Sequence, residues 1–189
     1  MKSVLISIYP KFCELIFNGK KTIEVRKSAP KLETPFKVIV YETKGQFIKS
    51  VKGACTTYGY GRGKVIGSFV CDRITNIHCY SDTKDTSIYE PKTCLTGEEI
   101  CEYLNYEDGY GWHITKPKLF DEPRELCEFC VPCKEYDSNE PHCGECEYYS
   151  YSPNDSGDAQ EECLCGGCKR LRRPPMSWQY VEDHKEEIT

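Results

Sequence analysis

The 189-residue chain has no run that approaches the ~20 apolar residues of a membrane-spanning helix. Its first residues alternate in polarity and are too few for a secretory signal, so they are better interpreted as a strand. Without an export signal, the fourteen cysteines favour a reducing, cytoplasmic compartment and metal ligation over disulfides. A secreted, disulfide-bonded protein whose signal has been removed is the alternative.

Acidic residues are scarce in the first 64 residues, which contain four Glu and no Asp against thirteen Lys and Arg. This part therefore has a net charge of +9, whereas the rest of the chain, with 12 cations and 26 anions, has −14. A basic half of this kind favours an anionic partner such as RNA or a nucleotide. A solvated, lysine-rich surface is the alternative that charge alone leaves open.

Aliphatic residues are nearly absent between residues 122 and 173, which are rich in Asp, Glu, Ser, Asn and Gly. Such a composition does not supply a hydrophobic core. The same segment contains pairs of cysteines separated by two residues, a spacing that turns both thiolates toward one tetrahedral zinc ion. The predicted zinc ligands are Cys130, Cys133, Cys143, Cys146, Cys163, Cys165 and Cys168.

The predicted zinc is structural, because a closed thiolate site leaves no open position for catalysis. Cys127 and His142 are spare ligands, so the spacing leaves open whether one ion or two are bound and which pairs share an ion. An iron–sulfur cluster is the minor alternative, since four cysteines can hold either. We therefore predict a zinc-stabilised insertion at 122–173 within a domain formed by 1–121 and 174–189.

Hydrophobic periodicity predicts a mainly β domain with short helices, of the α+β class. Pro10 and Gly19 delimit the expected first helix, and a capping box at Thr96–Glu99 predicts another. Residues 44–63 contain five glycines and little pattern, so we expect a mobile loop there. Strands are expected at 2–8, 22–26, 36–43, 64–77, 109–114 and 176–181.

A cluster of charged residues follows the first expected helix: Lys20, Lys21, Glu24, Arg26 and Lys27. Lysine supplies a point charge and arginine a planar fork, a combination suited to phosphates and base edges. Strand alternation puts Glu24 and Arg26 on one face, where the carboxylate could orient the arginine or accept from a base amino group. An outer strand face carrying a salt-bridge pair is the alternative.

The charged cluster and the expected strands around it together resemble the ASCH domain, a branch of the PUA-like β-barrels. The resemblance covers about residues 2–120 and 174–182, and its most specific part is Gly19-x-Lys21-Thr22-x-Glu24-x-Arg26. The later stretches resemble a bacterial and phage subgroup with a cysteine-rich insertion before the last strand. The other supporting motifs are Ser7-Ile8-x-Pro10, Val38–Tyr41, Gly63–Phe69, Tyr110–Ile114 and Pro174–Val181.

The resemblance implies a small barrel with a basic cleft beside the first helix, which binds RNA, a nucleotide or a nucleoside. Aromatic walls suit such a ligand, because base stacking tolerates any π-face. Core packing is the alternative role for Trp112. The expected lining residues are Lys21, Glu24 and Arg26, with Tyr41, Thr43, Trp112 and His113 as walls.

Whether the chain is an enzyme is left open by the same resemblance. Some ASCH proteins resemble amidohydrolases that deacetylate N4-acetylcytidine with a lysine at the Lys21 position and a threonine two residues beyond Thr22. Glu24 occupies that second position here, so the expected hydroxyl nucleophile is missing. A hydrolase or ribonuclease acting on modified nucleosides or RNA would use Lys21 as electrophile and Glu24 as general base. A third alternative is an interaction protein whose zinc insertion binds a protein partner.

Overall fold

The computed structural model describes residues 3–52, 55–79, 84–132, 149–153, 159–163 and 168–183. Most of them are in strands, which confirms the prediction of a mainly β fold with short helices. The helices are α1 (Pro10–Phe17), α2 (Glu90–Thr93) and α3 (Gly97–Leu104), with 3-10 turns at Lys84–Tyr89 and Leu126–Glu128. The strands are β1 (Ser3–Ile8), β2 (Ile23–Arg26), β3 (Phe36–Glu42), β4 (Gln46–Lys52), β5 (Cys55–Tyr60), β6 (Lys64–Ile77), β7 (Gly109–Arg124), β8 (Phe129–Pro132), β9 (Tyr149–Pro153), β10 (Ala159–Cys163), β11 (Cys168–Arg170) and β12 (Trp178–Asp183).

One eight-stranded sheet organises the described part of the chain, in the order β11-β8-β12-β1-β3-β6-β7-β2. Strands β1 and β3 are parallel, whereas β1 and β12 are antiparallel. The register between β6 and β7 shifts at three points, and such bulges bend the strands and increase their twist. Among the described helices, none is long and apolar enough to cross a membrane.

Hydrophobic residues on both faces of the sheet are buried. Val4, Ile6 and Ile8 of β1 pack in a first core that also contains Trp112 and Phe69. Leu5, which points to the other face, packs in a second core with Ile39, Tyr41, Val65 and Val181. Residues of the region expected to lack a core join this second cluster: Leu126, Phe129 and Leu171.

The cysteine-rich segment is therefore continuous with the main sheet through β8 and β11, whereas β9 and β10 pair with each other in a separate two-stranded sheet. Strand β8 pairs with β12 as well as with β11, so the boundaries expected at 122 and 173 do not separate two hydrophobic cores. We had not expected this, because Leu126, Phe129 and Leu171 lie among cysteines and polar residues and form no periodic pattern in the sequence. The division of the chain into a barrel and an insertion stays a prediction.

Residues 44–63, which we expected to form a mobile loop, contain the β4–β5 hairpin instead. The two strands pair antiparallel from Gln46↔Tyr60 to Lys52↔Cys55, with a register shift between Ile48 and Ser50. The shift and the glycines break the alternation by which a strand is recognised in a sequence. The expectation of an unstructured loop was therefore wrong.

Candidate functional site

The candidate site is a cavity of ≈ 270 Å³ between β1, α1, β2 and α3. We call this cavity the cleft. Pro10 begins α1 shortly after β1 ends, and Gly19, with a φ of +77°, turns the chain from α1 toward β2. The helix and the two strands therefore surround one opening. The cleft is lined by Ser7, Ile8, Tyr9, Phe12, Lys21, Glu24, Val25, Arg26, Leu95 and Tyr103.

Three charged side chains form one buried cluster in the cleft. Lys21, Glu24 and Arg26 are only 2%, 7% and 6% exposed. The Lys21 Nζ lies 3.3 Å from Glu24 Oε2, and the Arg26 Nη2 lies 2.9 Å from Glu24 Oε1. The carboxylate thus bridges two cations, and one positive charge is left in excess.

Lys21 is held by contacts from three directions. Its Nζ donates to the carbonyl of Thr93 at 2.7 Å and lies 4.9 Å from the centre of the Phe12 ring. Thr93 ends α2, a short helix for which the sequence gives little signal beyond Pro91 in its first turn. The segment between β6 and β7 therefore completes a site whose charged residues come from the first 26 residues of the chain.

Arg26 connects β2 to β1, two strands of the sheet that do not pair with each other. Among the described strands, β2 pairs only with β7, so no backbone ladder connects it to β1 or β12. The Arg26 Nη2 donates to the Ser7 carbonyl at 2.7 Å, and Trp178 Nε1 donates to Ser28 Oγ at 3.0 Å. The Arg26 Nε is buried and has no hydrogen-bond partner among the described residues.

Aromatic residues form the walls of the cleft: Tyr9, Phe12 and Tyr103. Tyr9 is 50% exposed and Tyr103 is 40% exposed, so both present ring surface to solvent. The capping box at Thr96 and Glu99 fixes the start of α3, which carries Tyr103. Burial raises the pKa of Tyr103, so its hydroxyl is neutral and can donate a hydrogen bond.

The structure places the expected wall residues outside the cleft. Tyr41 packs in the second core, and Trp112, with no exposed surface, packs in the first core against Phe36 and Trp178. Thr43 does not line the cleft either, and its hydroxyl is buried. Tyr41, Thr43 and Trp112 therefore do not line this cavity, and their contact with a ligand stays a prediction.

His113 and two of the lysines also lie outside the cleft. His113 contacts Arg73 Nη2 through Nδ1 at 3.2 Å and Thr75 Oγ1 through Nε2 at 3.3 Å. Burial, followed by the Arg73 charge, lowers the pKa of His113, which favours a neutral ring. Lys20 and Lys27 are exposed and do not line the cleft, although Lys27 Nζ lies 5.7 Å from the Tyr103 ring.

A second cavity, of ≈ 430 Å³, lies beside α1 and is lined by Pro10, Cys13, Glu42 and Arg62 among others. Glu42 is buried and accepts from the Arg62 backbone N–H at 2.7 Å, while the Arg62 guanidinium lies 3.4 Å away. Burial, with Glu42 and Glu24 adding to it, raises the pKa of the Cys13 thiol. Cys13 is therefore a neutral core residue and no candidate nucleophile.

The predicted metal ligands are only partly within the described residues. Cys133, Cys143, Cys146 and Cys165 lie outside them, and Cys163 and Cys168 are described only as strand ends. Cys130 is fully buried and is disulfide-bonded, whereas Cys127 is exposed and free. Within the described ranges, no group of three or more His, Cys, Asp or Glu residues could hold a metal ion.

Comparison with known proteins identifies the family. No curated protein matches the chain. The solved structure of ASCH from Zymomonas mobilis is 22% identical, with a TM-score of 0.48 over 66% of this chain and 73% of the other. A tyrosine-to-phenylalanine mutant of ZmASCH from Zymomonas mobilis is 22% identical, with a TM-score of 0.49 over 67% and 77%. The family model of the ASCH domain matches residues 6–124, more than half of the chain, and the protein therefore belongs to the ASCH domain family.

Proposed function

We propose that this ASCH protein binds RNA and takes one nucleoside of the strand into the cleft. The observation that carries the proposal is the combination of three aromatic walls with a buried Lys21–Glu24–Arg26 cluster around a cavity of ≈ 270 Å³. A cavity near the lower end of the range for small-molecule sites suits one nucleoside better than a larger cofactor. The basic first part of the chain favours the phosphates that flank such a nucleoside.

The chemistry of the cleft favours a base over a phosphate group. Glu24 neutralises one of the two cations, and the Lys21 and Arg26 donors are further used by the carbonyls of Thr93 and Ser7. The walls are largely apolar and present rings to which a base stacks. The Glu24 carboxylate, which lines the cleft, would be an acceptor for the edge of that base.

Replacing Tyr103 by alanine tests the proposal, because the ring lines the cleft and is partly exposed. Stacking of one base is worth about 1–3 kcal/mol, so we expect the Kd for single-stranded RNA to rise roughly 5- to 150-fold. Fluorescence anisotropy of a labelled oligoribonucleotide about ten nucleotides long measures the change. Tyr106→Ala is the matched control, since Tyr106 is 64% exposed and lies outside the cleft.

Equal affinities for Tyr103→Ala and Tyr106→Ala would contradict a base in the cleft. The wall residue is preferred over Lys21→Ala or Arg26→Ala, because loss of a buried ion-pair partner also destabilises the fold. The alternative function is hydrolysis of RNA or of a modified nucleoside. Mass spectrometry of the RNA after the titration tests for it. A cleaved or deacylated product that accumulates with the parent protein would identify a hydrolase instead of a binding protein.

We further propose that the cysteine-rich segment binds structural zinc. Strands β8 and β11 are antiparallel neighbours, with Cys168 opposite Pro132 and Arg170 opposite Cys130. Cys130 and Cys168 therefore lie on neighbouring strands, at the two ends of a ladder of three residue pairs. Cys130 is buried and disulfide-bonded in the structure, so zinc ligation requires that this bond be reduced and that the thiols lose their protons. Cys130, Cys133, Cys165 and Cys168 would supply a closed tetrahedral site.

Metal analysis of the protein, purified with a thiol reductant and without chelator, tests the zinc site. We expect one or two zinc ions per chain, and loss of one of them in Cys168→Ser. Cys127→Ser is the control, because Cys127 is an exposed free thiol. A metal-free parent protein with oxidised cysteines would contradict the proposal in favour of a disulfide, and bound iron would indicate a cluster instead.

A further inference from the structure

The second cavity contains a buried carboxylate that the cleft does not use. Glu42, the last residue of β3, lines this cavity and is only 6% exposed. Its Oε2 accepts from the Arg62 backbone N–H at 2.7 Å, whereas Arg62 Nη1 lies 3.4 Å from both carboxylate oxygens, longer than an ordinary hydrogen bond. A carboxylate accepts about four hydrogen bonds, so the described residues leave most of this capacity unused. Because a buried carboxylate is costly unless it is hydrogen-bonded, a ligand with donor groups fits this position.

The loop that carries Arg62 has a fixed backbone and an accessible side chain. Gly61 approaches the Thr43 carbonyl so closely that no side chain would fit, and Gly63 has a φ of +67°, which favours glycine. The Arg62 side chain is nevertheless 57% exposed. The Arg62 N–H therefore holds the Glu42 carboxylate in place, while the guanidinium is accessible to a ligand.

The charges around the second cavity favour a neutral ligand. Glu14 also lines it, so the lining residues include two carboxylates and one guanidinium. The excess negative charge disfavours a phosphate group, and the Arg62 charge beside Glu42 disfavours a second cation at that position. The other lining residues are largely apolar, and Phe17 and Leu119 are partly exposed. A flat, neutral molecule with adjacent donors matches this combination.

Among the four RNA bases, guanine has the matching donors. Its Watson–Crick edge presents N1–H and the N2 amino group side by side, a pair that one carboxylate accepts in bidentate fashion. Adenine and cytosine present one donor next to an acceptor, and the uracil donor lies between two acceptors. The cavity volume of ≈ 430 Å³ is within the range of small-molecule sites and exceeds that of the cleft.

We infer that the second cavity binds a guanine base of single-stranded RNA, close to the base that the proposed function puts in the cleft. Glu42 accepts from N1–H and from the N2 amino group, and Phe17 and Arg62 pack against the base. The inference rests on the proposed function and adds a sequence preference to it. The alternative is that Glu42 serves only to fix the loop around Arg62.

Both sites use the same short helix. Tyr9 and Phe12 line the cleft, whereas Pro10 and Cys13 line the second cavity. These residues alternate along the start of α1, and a helix with its side chains is about 10–12 Å wide. Two bases of one strand can therefore enter the two cavities when the strand passes over α1.

A change in the RNA tests the inference without changing the protein. The probe is a labelled oligouridylate of about ten nucleotides with one guanosine near its middle, compared with inosine or uridine at that position. Inosine keeps N1–H but lacks the N2 amino group, so it loses one hydrogen bond to a charged acceptor. We expect the Kd of the inosine probe to be roughly 10- to 100-fold higher than that of the guanosine probe. Fluorescence anisotropy measures all three affinities.

Variants of the second cavity identify where the preference arises. Glu42→Gln should make the guanosine and inosine probes bind nearly equally. Glu33→Gln, which removes an exposed carboxylate outside both cavities, should keep the preference. Leu119→Trp narrows the cavity from a position that is 53% exposed, so it remains informative if circular dichroism shows that Glu42→Gln does not fold. Ile88→Trp is its control, since Ile88 is 59% exposed and lines neither cavity.

The same titrations with Tyr103→Ala separate this inference from the proposed function. If Tyr103→Ala weakens binding of all three probes and the parent protein does not distinguish guanosine from inosine, the inference is overturned and the proposed function stands. If the cavity variants abolish a guanosine preference and Tyr103→Ala changes nothing, the proposed function fails and the guanine site stands. If the parent protein binds none of the probes, both fail.

Two further results would overturn the guanine site. A preference that survives in both Glu42→Gln and Leu119→Trp means that the guanine lies elsewhere. Free guanosine that binds the parent protein but not Glu42→Gln, with no preference among the RNA probes, means that the ligand is a nucleoside and not a strand. A preference that is lost in the two cavity variants and kept in Glu33→Gln and Ile88→Trp supports the inference.

Discussion

Glu24→Gln should lower the free energy of unfolding by about 3–5 kcal/mol, because it leaves the Lys21 and Arg26 charges buried and adjacent without an anion between them. Glu24 lies 3.3 Å from one cation and 2.9 Å from the other, and all three residues are at most 7% exposed. Glutamine has nearly the same shape as glutamate. The loss of unfolding free energy therefore measures the effect of the missing charge and not of altered packing. Urea denaturation followed by circular dichroism measures it.

Glu14→Gln provides the control for this prediction, since Glu14 is an exposed residue of α1. Its free energy of unfolding should stay within about 0.5 kcal/mol of the parent value. A similarly small effect of Glu24→Gln would mean that the cluster is more hydrated than its burial indicates. A triple variant with Lys21→Met, Glu24→Leu and Arg26→Met extends the test. Apolar replacement of a whole buried ion cluster is often neutral or stabilising, so a stable triple variant that no longer binds RNA would assign the charges to binding.

Trp112→Ala should cost about 3–5 kcal/mol of stability, the range for removing a large aromatic side chain from a core. Trp112 has no exposed surface, and its ring centre lies 5.9 Å from that of Phe36 and 5.8 Å from that of Trp178. The free energy of unfolding again measures the effect.

Trp112→Phe distinguishes packing of this residue in the core from the expected role as a wall of the ligand cleft. The Trp112 Nε1 has no hydrogen-bond partner among the described residues, so phenylalanine sacrifices packing area but no polar contact. We expect a smaller loss of stability than in Trp112→Ala and an unchanged Kd for single-stranded RNA. A Kd that rises as in Tyr103→Ala would show that Trp112 contacts the ligand after all.

The charged part of the site could be predicted from local sequence because it is local in the structure. Lys21, Glu24 and Arg26 lie within six residues, and the strand alternation that puts Glu24 and Arg26 on one face does not depend on distant contacts. The limits of α1 and α3 were predictable for the same reason. Proline at a helix start, glycine after a helix end and a capping box act within one turn.

The walls of the cleft could not be predicted, because they depend on how distant segments pack. Tyr103 reaches the cleft only through the path of residues 84–104 between β6 and β7. Phe12 belongs to the apolar stripe of α1 and carries no separate signal. Strand β3 is buried on both faces, so its nearly continuous apolar run did not reveal that Tyr41 faces the second core.

The pairing of β1 with β12 has a consequence for the order in which the protein is made. Ser3 pairs with Val181 and Ile6 with Trp178, so the first strand acquires this neighbour only when the last strand has left the ribosome. The cysteine-rich segment emerges before that moment, while the sheet is still open at β1. Pairing between segments so far apart in sequence also slows folding, because the chain must close a long loop first. The cysteine-rich segment is therefore synthesised before the strand that completes this side of the sheet.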